Sequence, residues 1–146
     1  TRLMNDLAPV IFEDGRQSRD LIFVEDVARA NLLVATDDRA DGKILNVGTG
    51  HAVEIGALAS LLAARLNTSI EPEIRGEFRP GEMRALISDI SQIREIGFTP
   101  KVDLESGINR YLDWIRSQGD IKEYFGVAAD SLRRRKLVQK SAGFTP

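Results

Sequence analysis

The sequence predicts an α/β fold, a small mixed sheet with flanking helices. Short apolar runs rich in strand-forming residues recur between turn signals, as at Val10–Phe12 and Leu21–Val24. Longer runs with apolar residues at helical spacing alternate with them. The chain has 146 residues, which is enough for one domain with its own core.

The stretch from Gly15 to Ala30 organises the chain, and it predicts a turn, a buried strand at Leu21–Val24 and then a helix. Glu25 and Asp26 open the helical run, where acidic side chains suit the positive end of a helix dipole. The helix is expected to continue to about residue 36. Its apolar stripe comprises Val27, Ala30, Leu33 and Val34.

The middle of the chain predicts two further strands around a helix. A strand at Lys43–Val47 leads into Gly48-Thr49-Gly50, whose glycines allow a close approach of the backbone. A helix is expected at about Glu54–Leu66. A strand follows at Ile70–Ile74, although Pro72 weakens that assignment.

The last part of the chain begins with a charged loop, Arg75–Arg84, built around Pro80-Gly81. A short strand is expected at Leu86–Ile87, and Asp89 is expected to cap a helix that ends at Gly97.

Two more helices are expected after it. Asp103 should cap the first, and the second should cover about Gly126–Val138. The segment 141–146 is expected to fray. The buried face of the first of these helices is predicted to comprise Leu104, Ile108, Tyr111, Leu112 and Ile115.

Composition excludes several classes of function. The chain has no cysteine, so disulfides and thiolate chemistry are excluded and a reducing cytoplasm fits. A single histidine, His51, leaves no histidine-based metal cluster, and we predict no metal site. The net charge of −2 provides no general attraction to nucleic acid or membrane, and no apolar run approaches the ~20 residues that span a bilayer.

Several residues with catalytic or binding chemistry are better explained by structure. The basic run Arg133–Lys136 is typical of a solvated helix end, and His51 of a surface turn. Tyr111 and Tyr124 lack a lysine four residues on, so we expect core or interface aromatics. Gly48-Thr49-Gly50 lacks the full dinucleotide-binding spacing. We predict no catalytic residue in this chain.

Two arginines beside predicted strands, Arg19 and Arg79, remain as binding candidates. A guanidinium fork bonds phosphate oxygens in pairs, so two arginines that converge on one pocket would suit a diphosphate. The sequence by itself does not show that they converge.

Five motifs in order resemble the C-terminal half of the nucleotide-sugar epimerase/dehydratase family, the extended short-chain dehydrogenase/reductases. UDP-glucose 4-epimerase and dTDP-glucose 4,6-dehydratase are its best-known members. The resemblance covers about residues 5–116. Its motifs are QxRDxIxVxDVAxA (17–30), NVGTG (46–50), RPGE (79–82), SDISQIREIGFTPK (88–101) and the helix that ends in Trp114.

The resemblance implies a two-part enzyme of which this chain contains the second part. In the family, a Rossmann half binds NAD(P) through GxxGxxG and carries a Tyr-x-x-x-Lys pair, and a smaller lobe holds the nucleoside diphosphate of the substrate. Neither motif occurs here. We therefore expect an inactive fragment that binds no NAD(P) itself, while its full-length parent uses NAD(P) to epimerise or dehydrate a nucleotide sugar.

The resemblance also implies which residues hold the phosphates. Arg19 matches the diphosphate-binding arginine of the RD motif, and Arg79 matches the second such arginine. Glu82 stands where the family usually has aspartate, near the ribose or phosphates. Asn46 matches an asparagine near the phosphates in some members.

For the nucleobase, the resemblance implies the strand that holds Val10 and Phe12. The chain departs from the family pattern at Glu13, where glycine is usual. This departure bears on the geometry of the turn beside the base.

Three hypotheses follow for the chain as a whole. The first is a substrate-binding lobe over residues 1–118 with a C-terminal helical extension of the same domain over 119–146. Its partners would be a nucleoside-diphosphate sugar, the missing Rossmann half and a second copy, through the exposed apolar surface. The second is a stand-alone nucleotide-sugar-binding or regulatory module, and the third is an interaction protein that uses its C-terminal helices.

Overall fold

A computed structural model describes residues 1–119 and 121–140 of the chain. The tail 141–146, for which the sequence predicts fraying, lies outside them. The chain divides into two compact units. The first comprises Thr1–Gln17, Glu54–Arg84 and Leu112–Pro146, and the second comprises Ser18–Val53 and Ala85–Tyr111.

Short strands, two whole helices and the last part of a third, from Leu112 on, build the first unit. One pair of strands is parallel, Val10 opposite Glu73, and the other is antiparallel, Phe78 opposite Gln139. The elements are a 3-10 turn at Leu3–Asn5, β1 (Val10–Ile11), α2 (Ile55–Arg65), β4 (Glu73–Ile74), β5 (Glu77–Phe78), α5 (Phe125–Arg134) and β7 (Gln139–Lys140).

Small side chains let helix α2 pack closely in the first unit. The amide of Gly56 donates to the carbonyl of Gly15 at 2.8 Å, and a Cβ on Gly56 would lie 3.2 Å from that oxygen. The buried apolar residues of this unit are Ile11, Ala59, Ala63, Leu112, Ile115 and Ala129.

The second unit contains the three-stranded sheet, in the order β3-β2-β6. Strands β2 and β6 are parallel, with Arg19 opposite Leu86. The elements are β2 (Ser18–Arg19), α1 (Val24–Thr36), a 3-10 turn at Asp38–Ala40, β3 (Val53–Glu54, at its end), β6 (Ala85–Leu86), α3 (Ser91–Glu95) and the first part of α4 (Leu104–Ser117).

The core of the second unit lies between α1 and the segment around α3. Ala30 and Ile93 are fully buried there, and Leu33 and Val34 pack against the same cluster. The apolar stripe predicted for α1 is therefore confirmed. The alternation of short strands with helices also confirms the predicted α/β class and the small mixed sheet.

The strand predicted at Leu21–Val24 is wrong, since β2 lies at Ser18–Arg19 and α1 begins at Val24. The amide of Asp20 donates to the carbonyl of Leu86 at 3.0 Å, which is the last ladder bond in this direction. The carbonyl of Phe23 then accepts from Asp26 at 2.9 Å as the helix starts. The prediction relied on apolar content alone and therefore placed the strand too far along the sequence.

The strand predicted at Lys43–Val47 is also wrong. Exposure alternates along this segment as in a strand, because Ile44 is 92% exposed while Leu45 and Val47 are half-buried. No strand pairs with it among residues 1–119 and 121–140. A strand needs a hydrogen-bonded neighbour, and the sequence pattern carries no information on whether one is present.

Two predicted details of the helices change. Asp89 does not cap α3, whose N-cap is Ile90, although its carboxylate accepts from the amide of Ser91 at 2.9 Å. Tyr111 is 48% exposed, because it lies at the edge of the stripe that Ile108, Leu112 and Ile115 bury.

The charged loop and the last helix also differ from prediction. Strand β5 lies inside the segment predicted as the loop Arg75–Arg84. Helix α5 ends at Arg134, four residues before the predicted Val138, and Lys136 then adopts a left-handed backbone with φ 55°. In the described part of the chain, no helix combines the length and hydropathy needed to cross a bilayer.

Candidate functional site

In the first unit, Arg79 directly follows β5 and lies over an aromatic ring. Its guanidinium carbon is 5.0 Å from the centroid of Phe12. Its Nε and Nη2 donate to the two carboxylate oxygens of Glu82 at 2.9 and 2.8 Å. The turn at Gly81, with φ 82°, brings Glu82 back to the arginine. The cation is therefore held on a ring face with both arms of its fork in use.

The strand predicted to flank the base leads into the same cluster. Val10 lies in β1, and the carbonyl of Phe12 accepts from Nε2 of Gln17 at 2.9 Å. Glu13 has φ 55°, a left-handed conformation that glycine adopts without steric cost. An ordinary residue there costs about 1–2 kcal/mol. Glu13 thus adopts a conformation that glycine, the residue the resemblance leads us to expect at this position, would adopt without this cost.

An ion-pair cluster beside this turn was not predicted from the sequence. Arg84 donates to both carboxylate oxygens of Asp14 at 2.6 and 2.8 Å, and to Glu13 at 3.0 Å. The hydrogen bond from Arg84 holds the pKa of Asp14 well below its usual range. Acidic residues at a turn and an arginine 70 positions later form no local pattern, so sequence spacing gave no signal.

In the second unit, Arg19 is half-buried in β2, and its Nη1 donates to the carbonyl of Ser18 at 2.8 Å. The next residue, Asp20, holds the turn that follows Asn46. It accepts from the amide and hydroxyl of Thr49 at 2.8 and 2.5 Å, and from the amide of Gly50 at 2.9 Å.

Burial raises the pKa of Asp20, but the bonds from Thr49, Gly50 and Ser88 together outweigh it, so the pKa of Asp20 is lowered. Asp20 was part of the RD motif but received no role from the sequence. The signal available in the sequence was an acidic residue directly beside Arg19.

Asn46 is exposed on the segment 43–47, and its Nδ2 donates to the carbonyl of Asp89 at 3.3 Å. The predicted site residues thus fall into two groups. Val10, Phe12, Arg79 and Glu82 belong to the first unit, where the last three form one cluster. Arg19 and Asn46 belong to the second unit, on segments that Asp20 ties together through Thr49.

A cavity of about 280 Å³ opens in the second unit beside α1 and the segment 43–47. Its lining is largely apolar and includes Ala30, Val34, Leu45 and Val47.

The residues for which the sequence predicted a structural rather than a functional role have ordinary contacts, with two corrections. His51 is exposed in its turn, where its amide donates to Oγ1 of Thr49 at 3.1 Å. Tyr124 is 66% exposed, so a core position is wrong for it as for Tyr111. Arg133 is more than a solvated cation, since it pairs at 3.1 Å with the buried carboxylate of Glu77.

Comparison with known proteins agrees with these motifs. The sequence model of the NAD dependent epimerase/dehydratase family matches residues 1–48. A dTDP-L-rhamnose 4-epimerase of Burkholderia thailandensis is 31% identical over 113 residues, 77% of this chain and 31% of its own length. The chain is related to the NAD dependent epimerase/dehydratase family.

Solved structures of this family match the fold as well, over their C-terminal part. UDP-glucose 4-epimerase of Thermotoga maritima with UDP-glucose has a TM-score of 0.75 and 32% identity, covering 82% of this chain and 38% of that one. MoeE5 with UDP-glucose and NAD has a TM-score of 0.70 and 30% identity, covering 80% and 39%. The resemblance drawn from the motifs is confirmed.

The chain spans about a third of the length of the curated relatives it matches.

Proposed function

We propose that this chain is the nucleotide-sugar-binding part of an NAD-dependent 4-epimerase or 4,6-dehydratase. Residues 1–118 would form the binding lobe, and 119–146 a helical extension of the same domain. The relationship to 4-epimerases supports the class of ligand, since two of the matched structures contain UDP-glucose. The cytoplasm is the proposed location, because the chain has no cysteine.

The observation that carries this proposal is the position of Arg79 over Phe12. A guanidinium placed on a ring 5.0 Å away is oriented, and its planar fork matches pairs of phosphate oxygens. The Phe12 strand would flank the base with Val10, while Arg79 would meet the diphosphate. Glu82 would then contact the ribose hydroxyls or remain on the guanidinium.

The resemblance of the motifs is what supports Arg19 as a diphosphate ligand and Asn46 as a residue near the phosphates, both in the second unit. Both side chains are held by hydrogen bonds: Arg19 donates to the carbonyl of Ser18, and Asn46 donates to the carbonyl of Asp89. Asp20, beside Arg19, accepts from the amide of Thr49 in the turn that follows Asn46. Fixed donors lose less entropy when an anion binds. Charge-assisted bonds of this kind contribute about 1.5–3 kcal/mol each.

In the whole enzyme, the chain's residues would bind and orient the sugar rather than react with it. NAD, when bound to the remaining part, supplies the hydride acceptor and donor at the sugar C4. Tyr-x-x-x-Lys is absent from this sequence, since position 115 is isoleucine and position 128 is alanine. We therefore propose that the chain alone is inactive and binds no NAD.

The proposed partner is a further stretch of polypeptide, which would correspond to the part of the relatives that this chain does not cover. The segment Lys43–Val47 supports it, because Ile44 is 92% exposed and no strand among residues 1–119 and 121–140 pairs with the segment. A strand added along the edge of this segment would pair with its backbone groups and cover Ile44. In the absence of that part, the same edge would favour self-association.

Isothermal titration of the 146-residue chain tests the ligand. We expect saturable binding of UDP-glucose, competition by UDP, and no heat from glucose or NAD at equal concentration. Binding of NAD, or of neither UDP compound, would contradict the proposal. UDP-glucose binding by a protein whose gene encodes no further part would favour the stand-alone binding module instead.

A further inference from the structure

The carboxylate of Asp20 uses both oxygens fully. Oδ1 accepts from the amide and the hydroxyl of Thr49 at 2.8 and 2.5 Å. Oδ2 accepts from the amides of Gly50 and Ser88 at 2.9 and 3.3 Å. Three segments of the second unit therefore meet at one side chain, and three of the four donors are backbone amides.

The strand that carries Arg19 is short, so few ladder bonds hold it even though it lies between β3 and β6 in the sheet. Strand β2 has two residues, paired as Ser18 with Ala85 and Arg19 with Leu86. The amide of Asp20 extends the ladder by one bond, to the carbonyl of Leu86. Successive side chains of an extended chain point to opposite sides, so holding Asp20 on one side sets the direction of Arg19 on the other.

Close packing at Gly48 shows how tightly this arrangement is held. A Cβ on Gly48 would lie 2.4 Å from Oδ2 of Asp20 and 2.6 Å from Cβ of Ser88. A side chain at position 48 would therefore require Asp20 or Ser88 to move. The arrangement also requires a hydrogen-bond acceptor at both oxygen positions of residue 20. Asparagine there would turn its NH₂ group, which is a donor, toward N–H donors.

We infer that Asp20 is a positioning residue, which fixes the direction of Arg19 by anchoring the chain beside it to the turn at Gly48–Gly50. The inference rests on the proposed function in one respect only, which is the identity of the ligand that Arg19 binds. Asp20 itself, with all its acceptor sites facing protein donors, does not touch that ligand.

The test is a double-mutant cycle with Asp20→Asn and Arg19→Ala, read by titration with UDP-glucose. Asp20→Asn removes an acceptor from four hydrogen-bond donors and should weaken UDP-glucose binding about 10-fold in the parent chain. In the Arg19→Ala background the same change should cost less than about 2-fold, because Asp20 acts through Arg19. Thr49→Val, which removes one of the four donors, should cost about 3-fold and gives a milder variant.

Asp26→Asn is the matched control. Asp26 is a carboxylate of the second unit that is more deeply buried than Asp20, and it accepts from the amides of Lys101 and Val102 at 2.9 and 3.0 Å. Asp26→Asn should lower stability at least as much as Asp20→Asn while leaving UDP-glucose affinity within about 2-fold, since Asp26 holds no part of Arg19.

An equal loss of affinity from Asp20→Asn with and without Arg19 would overturn the inference. If the parent chain does not bind UDP-glucose, the proposed function fails and a second readout decides about Asp20. In ¹⁵N spectra, the Nε signal of Arg19 should move in Asp20→Asn and Thr49→Val but stay in place in Asp26→Asn. An unmoved Arg19 signal in all three variants would contradict the positioning role.

Discussion

The guanidinium of Arg79 donates to both carboxylate oxygens of Glu82, three residues later, at 2.9 and 2.8 Å. Their side chains are 46% and 25% exposed, so solvent screens the pair. Exposed ion pairs contribute about 0–1 kcal/mol to stability. The pair therefore orients Arg79 more than it stabilises the fold, which makes Arg79 a residue whose role in binding can be separated from folding.

Gly48→Ala should destabilise the chain strongly. Its new Cβ would overlap Asp20 and Ser88, at 2.4 and 2.6 Å, and relieving such overlap costs about 1–3 kcal/mol. Gly126→Ala is the control, because Gly126 lies in α5 with open space around it and alanine favours a helix by up to about 1 kcal/mol. Urea unfolding measures both. A neutral Gly48→Ala would contradict the tight packing at Asp20.

Acid should remove the stability that Asp20 contributes. Its pKa in the folded chain lies below the ordinary 3.8, so its contribution is complete well above pH 3.8 and is lost as the pH falls through the folded pKa. Asp20→Asn should therefore differ most from the parent at neutral pH, and the difference should shrink below pH 3.8. Urea midpoints at pH 7, 5 and 3 measure this. A difference that is constant with pH would contradict an ionised, hydrogen-bonded carboxylate.

Ile44→Lys should reduce self-association of the chain. Ile44 is 92% exposed on the unpaired segment 43–47, and a charged residue opposes strand addition at an edge. Val127→Lys is the control, since Val127 is 72% exposed on a different element, helix α5. Sedimentation velocity measures the outcome. Loss of association in Val127→Lys alone would place the contact on the C-terminal helices.

The sequence predicted the helices better than the strands, for a physical reason. Helix α1 has its periodicity and its first-turn acids within one stretch, and both were correct to within a residue or two. A strand depends on its neighbour: Ser18–Arg19 pairs with residues 85–86, and no local pattern reveals that. A strand was predicted at Lys43–Val47, but among residues 1–119 and 121–140 no neighbouring strand pairs with this segment.

The candidate site shows the same division. The motifs identified Arg19 and Arg79, because both arginines stand inside a motif. The residues that hold these arginines in place could not be identified from the sequence. Asp20 acquires its four donors from residues 49, 50 and 88, and Phe12 lies under Arg79 only once β1 and β5 are in place.

The most direct test of the proposed nucleotide-sugar site compares Arg79→Ala with Arg94→Ala by titration with UDP-glucose. Arg94 is an exposed arginine on α3, so its loss removes the same charge. Arg79→Ala should weaken binding by about 2 kcal/mol, some 30-fold, with an unchanged urea midpoint. Arg79→Lys should recover only part of the loss, since lysine lacks the planar fork. Equal affinity of Arg79→Ala, Arg94→Ala and the parent chain would contradict the assignment.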